Sequence, residues 1–454
     1  MHPQLDIVVP TPEMPGEVDT VVIGGGIAGV TAALELAERG QRVALVEKGE
    51  IAAEQSCRNW GWVRCSGRDR AEYPLGILSL ELWNAMAGRI GRETGYRRSG
   101  VVYTARSRRQ LRALETAFAD ARDFGIDARW LSPADFARLM PQHAPPVLGA
   151  LHTPGDGRAE PSIAVPAMAR AAQERGVAIL TRCAARGLET AAGAVAGVIT
   201  ERGVIRCRAA VLAGGAWSRL FAGNLGIGLP VLKIKGSVMR SAPMPGAPDI
   251  ALGDAGIGVR KRLDGGLTLA YRGGSPAQIT PDSFRLFRRF LPALIAGRDE
   301  LRLSLGRTFL EEARMARSWD PAGPAPMEAE PWRIWNPRPD PRLLARARRE
   351  WAARFPAAGA FETVETWAGM MDVTPDAVPV ISATSIPGLV LSTGYSGHGF
   401  GIGPGAGRLA ADLVTGGAPC VDPAPFRLER FGRVAAPPPR GLVARQDGPA
   451  AAPR

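Results

Sequence analysis

Lysine is nearly missing from this chain of 454 residues. Only Lys48, Lys233, Lys235 and Lys261 occur, so the formal net charge of +12 is carried almost wholly by arginine. The arginines are spread through most predicted helices and the C-terminal tail, with no long basic run and no helix face that combines basic residues with aromatics. That distribution argues against a nucleic-acid groove and for a generally solvated basic surface, while attraction of an anionic substrate or a membrane surface stays open. Cysteine is also scarce. Cys57, Cys65, Cys183, Cys207 and Cys420 are odd in number and scattered, without the paired spacing of a zinc site or a disulfide scaffold, so reduced thiols and no metal centre are expected. No apolar run approaches the roughly 20 residues of a membrane-spanning helix. The start of the chain, Met1 to Asp19, is rich in proline and acidic residues and does not read as a basic-then-apolar leader, so a cytoplasmic protein is expected. There is no internal repeat.

Glycine is abundant, with 55 residues, and it is concentrated at two places. In Val21-Val22-Ile23-Gly24-Gly25-Gly26-Ile27-Ala28-Gly29 a β-branched run leads into an amphipathic stretch, Ile27 to Arg39. A strand turning sharply into a helix is the setting of a dinucleotide site. Gly24 permits the turn, Gly26 lets the backbone approach a pyrophosphate, Gly29 lets helix and strand pack closely, and the helix start at Ile27 and Ala28 faces the negative charge. A second predicted strand, Arg42 to Val46, runs into Glu47 and Lys48, about 20 residues beyond the first glycine, where a carboxylate accepts hydrogen bonds from ribose hydroxyls and disfavours a 2′-phosphate. This motif alone does not separate NAD from FAD. The second glycine segment is Gly394-Tyr395-Ser396-Gly397-His398-Gly399-Phe400.

Periodicity predicts the elements between them. A polar, Trp-bearing loop spans 51–68. Helical patterns cover Ala71 to Thr94, Leu111 to Phe124, Pro133 to Leu139 and Pro161 to Arg175, the last leading into a strand, Val177 to Leu180. Alternation from Val195 to Leu212 predicts a strand meander ending at Gly214-Gly215-Ala216-Trp217-Ser218. Strand patterns at 233–240, 257–262 and 267–271, with helices and a Pro-rich insert at 320–341, predict a domain with an antiparallel sheet. Leu389 to Ser392 reads as a strand, 394–403 as a glycine loop, and Ala406 to Val414 as a helix stopped by Gly416-Gly417. The fold class expected is α/β: a discontinuous Rossmann-like nucleotide-binding domain (19–95, 151–229, 361–417) plus an antiparallel-sheet α+β substrate domain (96–150, 230–360). A flexible N-terminus, 1–18, and a mostly disordered tail, 418–454, are expected at the ends.

This order of motifs resembles the FAD-dependent D-amino-acid oxidase, glycine oxidase and sarcosine oxidase family of amine oxidoreductases, over roughly Asp19 to Gly417. The resemblance rests on the first glycine loop with Glu47; on Ser56-Cys57-Arg58-Asn59-Trp60-Gly61; on Val211 to Ser218; and on Thr374-Pro375-Asp376 through Pro379 followed by Gly394 to Phe400. It implies a Rossmann-type FAD domain, with Ser56, Arg58, Asn59, Trp60 and Gly61 beside the flavin. It places the Ala184 backbone at adenine, makes Gly214, Gly215 and Trp217 and the Gly369 strand part of the cofactor wall, and sets Gly394, Tyr395, Gly397, His398, Gly399 and Phe400 against the flavin ring. Oriented amides and a helix start would stabilise the negative charge arriving there.

The departures bear on the chemistry. Sarcosine oxidases carry a flavin-linking cysteine just before Thr-Pro-Asp; here the stretch is Trp367-Ala368-Gly369-Met370-Met371-Asp372-Val373, so non-covalent FAD is expected. Met371 also stands where glycine and D-amino-acid oxidases hold a carboxylate-binding arginine. Arg64, at the approximate place of a carboxylate-binding arginine in sarcosine oxidases, is the replacement candidate, and its planar fork suits that ligand. The alternative for Arg64 is a structural role. Thr268 replaces the lysine that promotes reaction with oxygen, and Arg272 replaces a neighbouring histidine. Tyr271 and Arg272 are candidates to face the substrate, Trp60 and Trp62 to form an apolar wall, and His398 to shape or polarise the flavin loop more than to act as a base. The reading is an oxidoreductase that takes hydride from a CH–NH bond of an amino acid or amine. Electrons would pass to oxygen or a quinone-type acceptor, and the chain would work alone or as a homo-oligomer. The alternatives are the FAD subunit of a heteromeric dehydrogenase and, from another class, a tRNA-modifying flavoenzyme.

Overall fold

In the computed structural model, which describes residues 3–144, 146–272, 275–296, 301–432 and 442–444, six short β-branched segments build the first sheet. They are β1 (Thr20–Ile23), β2 (Val43–Val46), β3 (Ala178–Leu180), β4 (Ala209–Leu212), β5 (Val380–Ala383) and β6 (Leu389–Thr393), in the order β5-β6-β4-β1-β2-β3. All neighbours are parallel except β5 and β6. Buried on both faces, these strands read as continuous apolar runs, as parallel strands do. One face carries Val22, Leu45, Ile179, Val211 and Val390 against helices α1 (Ile27–Glu38), α2 (Tyr73–Ile90) and α3 (Gly399–Thr415) and the helix Pro161–Glu174. The other carries Val21, Leu180, Leu212 and Leu391 under the meander Ala185–Ala191, Ala194–Thr200 and Gly203–Arg206.

The second sheet has eight strands, running from Thr363–Val373 at one edge through Leu232–Ser241, Leu267–Tyr271, Ile257–Lys261, Ala251–Gly253, Val101–Ala105 and Gly149–Thr153 to Arg129–Leu131. It is antiparallel apart from the pair Ala251–Gly253 and Val101–Ala105. One face packs Met239, Leu252, Val259 and Leu269 on the helix Pro341–Arg354 through Leu344, Ala347 and Trp351. The opposite face presents Val238, Ala270 and Trp367 to Trp60.

Three expectations change. The segment before β1 is not loose: Val8 is in the core, Thr11 N–H donates to Ile179 O at 2.7 Å, and Asp6 pairs with Arg170 at 2.6 Å. Residues 418–432 are folded, since Phe426 and Phe431 are buried and Cys420 N–H reaches the Asp412 carboxylate at 2.8 Å. Leu442–Ala444 pairs with Ala185–Ala191, whereas the rest of the tail expected to be disordered lies outside the described residues. The insert 320–341, expected in the substrate domain, packs instead with the parallel sheet, where Ala325, Met327 and Trp335 join the core. Apolar side chains spaced along a Pro-rich segment do not reveal from sequence which sheet they cover.

The last helix also begins earlier than expected, at Gly399 instead of Ala406. Its glycines allow backbones to meet: a Cβ on Gly403 would lie 2.7 Å from Ile27 Cγ1, and one on Gly407 would lie 2.3 Å from Thr31 Oγ1. Pro404 cannot donate within this helix. Side chains of neighbouring elements also donate to carbonyls of this helix, Trp83 Nε1 to Gly401 O (3.0 Å), Ser79 Oγ to Ile402 O (3.1 Å) and Thr31 Oγ1 to Gly403 O (2.9 Å).

Candidate cofactor and substrate site

A cavity opens at the carboxyl ends of the parallel strands, where an open α/β sheet places its ligand. One end is walled by Glu47, Lys48, Ala184 and Ala185, the other by Asn59, Met370, Asp372, Gly397, Gly399 and Phe400. The first glycine loop forms its floor. Gly24 has φ +111°, and a Cβ there would lie 2.5 Å from Ala213 O, so no other residue fits the turn. A Cβ on Gly29 would fall 1.9 Å from Gly24 O, which is the close helix–strand packing expected of it. Helix α1 starts at Ile27 with no acidic residue in its first turn and no side-chain cap from Gly26. The Ile27 N–H donates to Ser56 Oγ at 2.9 Å. Bare backbone, a helix start without its own counter-charge and an elongated cavity fit a dinucleotide with two phosphates.

The expected cofactor residues divide into two groups. Gly24, Gly26, Ile27, Ala28, Glu47, Lys48, Ser56, Asn59, Ala184, Gly214, Gly215, Trp217, Tyr395, Gly397, Gly399 and Phe400 all line the cavity. Glu47 accepts from Gly25 N–H and Gly49 N–H, both at 2.7 Å, and burial pushes its carboxyl pKa up. The remaining residues stand behind the wall. The buried Arg58 guanidinium donates to Ala53 O, Trp335 O and Ala368 O, so it ties three segments together and does not present its charge to the cavity. Trp60 packs edge-on to Trp62 with centroids 5.2 Å apart. Gly61, Gly369 and Gly394 permit close approaches: a Cβ would meet Ala159 O at 2.5 Å, Gln55 Oε1 at 2.2 Å and Thr374 Cγ2 at 2.6 Å respectively.

His398 is the N-cap residue of α3, and its Nδ1 lies 3.2 Å from Glu72 Oε2, a carboxylate with no exposed surface. Burial lowers the imidazole pKa, which favours the neutral ring, and the side chain is absent from the cavity wall. The sequence did not flag Glu72, Asp372 or Glu54. The buried Asp372 carboxylate accepts from Gly394 N–H (2.6 Å) and Thr393 Oγ1 (3.0 Å) and so holds the second glycine turn, with its pKa raised by burial. Strand alternation with Met370, also on the wall, was the available signal. Glu54 receives Trp217 Nε1 and Trp335 N–H, both at 3.0 Å, and its partners were unknowable without the fold.

The four candidates for substrate contact do not behave alike. Tyr271 packs with the core on the Pro341–Arg354 side of the sheet, with Arg346 over its ring. Alternation turns it away from Ala270 and Trp60, so it is removed from the site. Arg272, one residue on, returns to the other face. Its guanidinium carbon lies 5.2 Å from the Tyr103 ring centroid, and that of Arg64 lies 5.7 Å from the same ring. Tyr103 in turn packs edge-on to Trp62 at 5.9 Å. Arg64 also donates to the carbonyls of Ser66 and Gly67. The structure therefore brings Arg64, Arg272, Tyr103, Trp62 and Trp60 into one cluster.

A family described as DAO, FAD dependent oxidoreductase, matches residues 19–413. The solved L-amino acid deaminase of Proteus myxofaciens, in complex with anthranilate, superposes with a TM-score of 0.90 at 34% identity, over 95% of this chain and 98% of that one. Sarcosine oxidase subunit beta of an Arthrobacter species is 25% identical over 92% of each chain. D-amino acid dehydrogenase of Paramagnetospirillum magneticum is 27% identical over 90% of this chain and 98% of its own length.

Proposed function

The chain belongs to the FAD-dependent oxidoreductase (DAO) family and is an FAD-dependent amine or amino-acid oxidoreductase; from that premise we propose that its substrate is an α-amino acid of L configuration. The observation that carries the carboxylate is the gathering of Arg64 and Arg272 on the ring of Tyr103, in a chain with Met371 in place of the usual arginine. The configuration is supported by the likeness to the Proteus L-amino acid deaminase. FAD held non-covalently by the first glycine loop, Glu47 and the second glycine turn would supply a hydride acceptor for the Cα hydrogen, leaving an imino acid that water would convert to 2-oxo acid and ammonia.

The chain's own part is positioning. Arg64 and Arg272 hold the carboxylate, and the aromatic cluster of Tyr103, Trp62 and Trp60 fixes the position of their guanidinium groups. The backbone amides of the second glycine turn, held by Asp372, and the start of α3 stabilise the added negative charge. No cysteine lines the cavity among the described residues, which supports a non-covalent cofactor. The buried Thr268, bonded to Arg262 Nη1 at 3.2 Å, stands where relatives place an oxygen-activating lysine, and this supports a quinone-type acceptor over oxygen.

The test is anaerobic bleaching of flavin absorbance by L- and D-amino acids, N-methyl amino acids and decarboxylated amines, followed by air. L-amino acids bleach the flavin, and colour returns slowly. Arg64→Ala raises KM for them by about tenfold or more with a smaller effect on kcat. Equal bleaching by amines that lack a carboxylate would overturn the substrate assignment.

A further inference from the structure

Arg333 lies in the insert, far in sequence from both glycine motifs, yet it is bonded to two backbone segments that line one end of the cavity. Its Nη1 and Nη2 form a two-pronged pair with the Glu201 carboxylate at 2.7 and 2.9 Å, and Nη1 also donates to Lys48 O at 3.0 Å. Glu201 Oε1 in turn accepts the Ala184 N–H at 2.8 Å. Lys48 and Ala184 both line the cavity just past the ends of the paired strands β2 and β3, where Cys183 N–H donates to Glu47 O at 2.8 Å. A single guanidinium therefore braces both backbones at the rim of the cavity, directly at Lys48 and through Glu201 at Ala184. Both side chains of the pair are mostly shielded, at 14% and 15% exposure, so their charge-assisted bonds are weakly screened.

Other bonds keep the insert in register. Lys48 Nζ donates to Trp332 O (2.7 Å) and Arg333 O (2.9 Å), and Arg186 pairs with Glu328 through two bonds of 2.7 Å. Met327 of the same insert is itself part of the wall. The slot, bordered by Glu47 and the Ala184 backbone, is where a Rossmann-type sheet receives the adenosine half of its ligand.

Resting on the FAD reading of this cavity, we propose that Arg333 and Glu201 are positioning residues for the cofactor: the pair fixes the Lys48 and Ala184 backbones at the rim of the adenosine slot and so determines how tightly the AMP half of FAD is held. The insert is then part of the cofactor site and not only a cover for the sheet.

Apo-protein is titrated with FAD and with FMN, which lacks the AMP half, and flavin fluorescence gives each Kd. In Arg333→Met and Glu201→Gln the Kd for FAD rises by about tenfold while that for FMN stays at the wild-type value; Arg333→Lys recovers part of the loss. An equal rise for both flavins, or an unchanged Kd for FAD, overturns the proposal, and Arg333→Lys serves the same comparison if the other variants do not fold. Failure of the wild-type protein to bind FAD would instead count against the cofactor reading itself.

Discussion

Glu160 joins the parallel domain to the antiparallel sheet. It is 3% exposed, takes both ends of the buried Arg260 guanidinium at 2.7 and 3.0 Å, and accepts the Leu263 N–H at 2.9 Å. Burial alone would raise its pKa, but Arg260, Arg262 and the backbone donor outweigh it and hold the carboxyl at about 2, against an ordinary value of 4.5. Because the folded value is the lower one, the stabilisation is fully present above pH 4.5 and is lost as pH falls from there to about 2. Thermal unfolding across that range should show the loss. Glu160→Gln should remove this part of the pH dependence and, by leaving Arg260 buried without a counter-charge, cost ~3–5 kcal/mol at neutral pH. Gly24 offers a test at the cavity floor: Gly24→Ala would place a Cβ 2.5 Å from Ala213 O at φ +111°. The variant should purify with little or no flavin, measured as the ratio of flavin to protein absorbance.

At the scale of elements, α3 decides how close the nucleotide-binding layers come. Its glycines at 403 and 407 let α1 lie against it backbone to backbone, and Thr31, Ser79 and Trp83 supply hydrogen bonds along its carbonyls. Gly407→Val should therefore destabilise the protein by at least ~1–3 kcal/mol, as overpacking does, read from the denaturant midpoint at unchanged slope. Sequence reasoning placed the start of this helix late because glycine and proline are poor helix formers locally. Packing against α1 and α2 overrides that preference, and none of the donors that make it possible lies nearer than 300 residues in the chain.

For the whole molecule, one cavity is lined by segments from both ends of the chain and by Met327 of the insert. Cofactor binding should thus stabilise the fold as a unit. With free FAD at 100 times its Kd the gain is about 2.7 kcal/mol, to be seen by calorimetry as one transition moving to higher temperature. Two separate transitions, only one of them responsive to FAD, would show that the domains unfold independently. Among the described residues no helix is long and apolar enough to cross a membrane.

The sequence by itself determined the nucleotide-binding fold and most of the cavity wall. Gly24, Gly26, Gly29 and Glu47 are dictated by local backbone geometry and by spacing along a single strand-turn-helix-strand unit, and such constraints are written in consecutive residues. It also carried the second glycine turn and the alternating strands of the other sheet. Only the tertiary structure decided which side of a strand faces the site, removing Tyr271 and keeping Arg272, and which charges find partners, turning Arg58 into a buried tie and His398 toward Glu72. It also decided that Tyr103 gathers Arg64 and Arg272, and that a Pro-rich insert packs on the parallel sheet through Met327 and Trp335. These outcomes depend on contacts between residues up to hundreds of positions apart, whose energies are comparable to local preferences but leave no periodic mark on the chain.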